Sequence, residues 1–115
     1  MNEITRFGFR NRIHLGVIHN NIVYLTGQVG TPGKSVVEQM SEVLKKVDGL
    51  LEEAGTSNKR ILHATLVLAD IRDFAAVNEV WDTWVNKECA PARSTLEGRL
   101  ATNGLLVELI IVAAI

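Results

Sequence analysis

Two charges stand among apolar neighbours. In "ECAPARSTLEG" (residues 88–98), Arg93 follows Pro91 and Ala92 into a strand-like segment. In "LLVELIIVAAI" (residues 105–115), Glu108 is the single charge. A buried, unpaired ion costs several kcal/mol, so each of these residues needs something to meet it. Strand alternation puts Arg93, Thr95, Glu97 and Arg99 on one face and Ala92, Ser94, Leu96 and Gly98 on the other. If Asn103-Gly104 closes a two-residue hairpin, Glu108 faces Arg99 as an ordinary cross-strand ion pair and Arg93 is left over. If the loop is four residues long (100–103), Glu108 faces Thr95, with Arg93 its diagonal neighbour roughly 7–8 Å away. That spacing admits a small anion and a water. Alternation alone does not choose between the registers, and the Asn-Gly signal favours the first.

Other chemistry finds little support. His14, His19 and His63 are scattered without metal-ligand spacing, and Cys89 has no cysteine partner, so no metal site is expected. His63, on an apolar strand, reads as a satisfied core or seam histidine. "GQVGTPGK" (27–34) lacks the spacing of a phosphate-binding loop, and no GxSxG nucleophile motif occurs. Cys89 reads as an incidental loop thiol.

The elements that must position these residues are legible. Residues 12–19 and 22–26 are short strands joined at Asn20-Asn21, a pair that tolerates positive φ. After the turn "GTPG" (30–33), Ser35 caps a helix whose apolar stripe runs from Val36 to Ala54, with Gly55 as its C-cap. Residues 61–69 form a strand that is apolar on both faces. A second helix starts near Asp73, with Phe74, Val77, Val80, Trp81 and Trp84 on its buried stripe. Residues 92–100 and 105–114 are two more strands. The order ββαβαββ implies an α+β domain spanning 1–115, a mixed sheet with two helices on one face. Strands apolar on both faces then leave the other face bare, which predicts burial against further copies and pockets at the subunit seams.

A chain of 115 residues with net charge −1 offers no basic footprint for nucleic acid. The N-terminus has no secretory pattern, the 11-residue apolar run is too short to span a bilayer, and one cysteine fits a reducing compartment. No membrane partner and a cytoplasmic location are expected.

"VYLTGQV", "LLEEAGTS", "DFAAVNEVW", "APARSTLEG" and "VELIIVAAI", in this order over residues 22–115, resemble the RidA (YjgF) family, with a YoaB-like character in the "HNN" hairpin and the short loop after Gly27. The resemblance implies a chorismate-mutase-like fold assembled as a homotrimer. It also implies hydrolysis of enamines and imines of the 2-aminoacrylate/2-iminopropanoate type to a 2-keto acid and ammonia, with no cofactor. The carboxylate-binding arginine of the family falls on Arg93, and the acidic residue that handles the attacking water falls on Glu108. Thr26, Gly27 and Asn78 fall on substrate-binding positions, with Thr95 beside them. The resemblance favours the second register, since it needs Glu108 near Thr95 and Arg93.

Three departures stand out. Thr26 replaces a serine, Thr95 replaces a cysteine, and "RNRIHLG" takes the place of a segment bearing a pocket tyrosine, whose space Arg12 or His14 would fill. The alternatives are a non-catalytic trimer that binds small carboxylates and, less favoured by the charge, a ribonuclease or translation inhibitor.

Overall fold

The computed structural model describes residues 3–115. Its elements are β1 (Thr5–Arg10), β2 (Ile13–His19), β3 (Ile22–Leu25), β4 (Gln28–Val29), α1 (Val36–Glu53), β5 (Ile61–Leu68), α2 (Phe74–Trp84), β6 (Ala92–Glu97) and β7 (Val107–Ala114). The expected ββαβαββ order is present, and two strands are added to it. β1 forms a hairpin with β2 through a turn holding Asn11 at φ 52°, and the two-residue β4 pairs with β7.

Local chemistry explains the boundaries. Asn20 and Asn21 have φ of 53° and 62°, the left-handed pair that a two-residue hairpin requires. The Ser35 hydroxyl accepts the Glu38 N–H at 3.1 Å, and the Glu38 carboxylate accepts the Ser35 N–H at 3.3 Å, a reciprocal cap. At the far end Ala54, not Gly55, is the cap. Gly55 follows it at φ 88° and donates to the Glu52 carbonyl, while Thr56 donates to that of Leu51. Together they satisfy carbonyls of the last turn.

The sheet runs β1-β2-β3-β7-β5-β6, with β4 also on β7. The last two strands of the chain do not pair with each other, so both expected registers are overturned. β7 lies between β3 and β5, antiparallel to both, and β6 lies outside β5, parallel to it. Glu108 pairs with Val67 and Val29, not with Arg99 or Thr95. Burial decides this arrangement. "VELIIVAA" is apolar on both faces and gains most from a central position. β6 alternates polar residues and suits an edge. The Asn103-Gly104 turn does form, with Leu105 N–H donating to the Thr102 carbonyl, but the strands flanking it diverge.

Both helices cover one face. Beneath them are the buried Ala64, Leu66 and Leu68 of β5 and Val107, Leu109, Ile111 and Ala113 of β7, packed with Met40, Val43, Val47 and Leu51 of α1 and Val77 and Trp81 of α2. The opposite face carries Tyr24, Val112 and His63 in one cross-strand row and Val29, Glu108, Val67 and Leu96 in another. Its apolar members remain partly open to solvent, with Tyr24 45% and Leu96 46% exposed. No helix among the described residues is long and apolar enough to cross a membrane.

Gln39 is fully buried yet fully engaged. Its amide N–H groups donate to the Lys34 and Gly104 carbonyls at 2.9 and 2.8 Å, and its carbonyl accepts from Leu106 N–H at 2.9 Å. It ties the start of α1 to the segment leading into β7. Gln39→Ala strands these backbone groups, so urea unfolding should show a loss of about 3 kcal/mol or more. A loss below about 1 kcal/mol would mean that other groups hold the segment.

Candidate functional site

Arg93 and Thr95 lie in β6 opposite Ala64 and Leu66 of β5, so both belong to the helix-covered face. α2 meets the guanidinium there. Phe74, Asn78 and Trp81 sit at i, i+4 and i+7 of one helix and so share one side of it. Arg93 Nη2 donates to Asn78 Oδ1 at 2.8 Å. The guanidinium carbon lies 4.9 Å from the Trp81 ring centroid and 5.8 Å from that of Phe74. Nη1 is buried with no hydrogen-bond partner among the described residues. The ion pairs found among these residues, Lys34–Glu42 and Arg72–Asp70, do not involve Arg93. Burial pulls the Arg93 pKa below the ordinary arginine value, and the charge of Asp82 acts in the opposite direction. The result is a partly desolvated cation, fixed at one end and unpartnered at the other.

The second group lies between β3 and β4. Thr26 N–H donates to the Leu15 carbonyl at 2.9 Å and its hydroxyl to the His14 carbonyl at 2.7 Å, while the Thr26 carbonyl accepts from the Gln28 side chain at 2.8 Å. With its proton committed to His14, the Thr26 hydroxyl can only accept from a ligand. Gly27 leaves room for a neighbouring side chain. A Cβ built there would overlap the Glu108 carboxylate, so the glycine lets that side chain lie against the backbone. Glu108 itself is half-buried between Val29 and Val67 on the uncovered face.

The expectation that Arg93 and Glu108 share a face is therefore corrected. Arg93 aligns with Ala64, and Glu108 with Val67, three residues along the same strand. An odd offset in a strand reverses the face. Within one chain, Arg93, Asn78 and Thr95 form one group, and Glu108, Gly27 and Thr26 another across the sheet.

Phe74 and Trp81 read from the sequence as core residues, yet both rings flank the guanidinium. The signal available was their shared helical side with Asn78. His63, expected as a core or seam histidine, is half-buried on the uncovered face, with Ser94 Oγ 3.5 Å from Nε2.

Residues 8–115 match the family model described as endoribonuclease L-PSP. A RutC family protein from Haemophilus ducreyi is 41% identical over 113 residues, covering 97% of each chain. The RutC family protein YoaB of Escherichia coli K12 is 42% identical over 99 residues, 86% of this chain and 87% of its own. A crystal structure of a YjgF family member from Neisseria meningitidis superposes with a TM-score of 0.94 at 37% identity, covering 97% of this chain and 94% of that one.

Proposed function

Since the chain belongs to the RidA (YjgF) family, with YoaB-named RutC proteins among its relatives, we propose that it hydrolyses small carboxylate-bearing imines and enamines to 2-keto acids and ammonia. The observation that carries this reading is the Arg93 guanidinium, held by Asn78 with the buried Nη1 unpartnered and no protein carboxylate in ion-pair contact among the described residues. A planar carboxylate is the anion whose shape matches that fork.

Arg93 and Glu108 lie on opposite faces, so the complete site needs two copies of the chain, in keeping with a homotrimer. The uncovered face of one copy, bearing Glu108, Gly27 and Thr26, would then lie against the β6 edge and α2 of the next. Arg93 takes the substrate carboxylate, and Thr95 and Asn78 line the same end. Glu108 of the neighbouring copy accepts a proton from water as its oxygen adds to the C=N carbon, and returns that proton to the nitrogen. The carbinolamine then expels ammonia and leaves the keto acid. An enamine enters the same path after protonation at its β-carbon. No cofactor takes part in these steps.

The test is a coupled assay in which an amino-acid oxidase generates 2-iminopropanoate. The protein is expected to accelerate keto-acid release well beyond the spontaneous rate. Saturable binding of 2-ketobutyrate without turnover would instead assign a carboxylate-binding role, an option raised by the missing pocket tyrosine. The family description names an endoribonuclease, whereas the net charge of −1 disfavours a polyanionic substrate. RNA cleavage by nuclease-free protein, retained in Arg93→Ala, would overturn the proposal.

A further inference from the structure

A guanidinium withdrawn from water can be stabilised in two ways. A protein carboxylate stabilises it by pairing and cancels its charge. Aromatic faces stabilise it through their quadrupoles and leave the charge intact. Arg93 has the second arrangement: both rings lie within 6 Å of its guanidinium carbon, and neither ion pair found among the described residues includes it. Resting on the carboxylate-binding reading above, we infer that Phe74 and Trp81 are positioning residues, an aromatic clamp that holds Arg93 oriented for its anion without pairing its charge.

The geometry supports this division of labour. Asn78 takes Nη2, the two rings limit where the guanidinium can lie, and the buried Nη1 is left without a protein partner among the described residues. A neutral amide at position 78 directs the fork without adding negative charge. Ordering a long arginine side chain before the ligand arrives removes part of the conformational entropy otherwise lost on binding. Trp81 also belongs to the core at 7% exposure, so its two roles are hard to separate by substitution. Phe74 is 39% exposed, more than core packing requires, and it therefore isolates the clamp.

The probe is 2-ketobutyrate, titrated calorimetrically into wild type, Phe74→Leu and Phe74→Tyr. Leucine keeps an apolar side chain and loses the ring, so Kd should rise about five- to tenfold, with tyrosine restoring affinity. The melting temperature should barely move in either variant. The Arg93 Nε–H resonance of the ligand-free protein should carry a ring-current shift that shrinks in Phe74→Leu and returns in Phe74→Tyr. Wild-type binding with an unchanged Phe74→Leu constant overturns the clamp alone. A Kd that rises only with a matching loss of thermal stability, unrescued by tyrosine, assigns Phe74 to packing and also overturns it. Failure of wild type to bind the carboxylate overturns the underlying reading and the clamp with it.

Discussion

Arg93→Ala is expected to raise KM for the imine, and Kd for 2-ketobutyrate, on the order of 10^2- to 10^3-fold, the cost of leaving a desolvated carboxylate without its charged partner. Arg93→Lys should rescue little, because an ammonium cannot keep the Asn78 bond and still present a planar fork. The protein should stay folded, since Arg93 lies on the edge strand and only partly buried.

The same variant tests how the site is assembled. Arg93 and Glu108 point to opposite faces of one sheet, so complementary defects in different copies should restore intact sites. Arg93→Ala and Glu108→Gln chains, each nearly inactive alone, should recover activity when denatured together and refolded in equal amounts. In a cyclic trimer with random mixing, about a quarter of the seams combine an intact Arg93 with an intact Glu108 from the neighbour. Activity near that fraction of wild type is expected. No recovery in demonstrably mixed oligomers would sink the two-copy site.

Glu108→Gln should lower kcat about 10^2- to 10^4-fold, the usual contribution of a positioned general base. Affinity for 2-ketobutyrate should change little, because glutamine preserves the size and the fit against Gly27 while Arg93 is untouched. Gly27→Ala should reproduce part of this kcat loss through displacement, as its methyl group would occupy the space of the Glu108 carboxylate. Full turnover in Glu108→Gln would remove Glu108 from the reaction and place the base elsewhere, with Arg93 still the anchor of the substrate.

The effects should separate, because the proposed reaction gives the two residues different work. An arginine defect should appear mainly in KM and Kd, and a glutamate defect in kcat. If both variants lost kcat and KM together in parallel with thermal stability, the cause would be a damaged oligomer. Sedimentation of each variant decides between these causes.

Much of this molecule was readable from local pattern. The Asn20-Asn21 hairpin, the Ser35–Glu38 cap, the apolar stripe of α1 and the start of α2 depend on neighbouring residues and on backbone preferences within a few positions. The shared face of Arg93 and Thr95 follows from the two-residue period of a strand. Even the Asn103-Gly104 turn formed as its residues imply. It did not make a hairpin, because the Gly104 carbonyl accepts from Gln39 and from Gly33 N–H, and β7 runs on into the centre of the sheet.

Which strand lies beside which is a different kind of fact. Alternation says that a residue points up or down within its own strand, but not which strand its neighbour will be. That choice depends on the burial that all strands achieve together, and it set β5 between β6 and β7. This one insertion moved Glu108 from beside Thr95 to the opposite face from Arg93. It also brought α2 over Arg93, with Asn78 and two aromatic rings around the guanidinium. The sequence by itself determined most of the elements and the alternation of side chains within each strand, because those rest on short-range backbone geometry. Only the tertiary structure decided which of them meet, since meeting depends on packing between segments far apart in the chain.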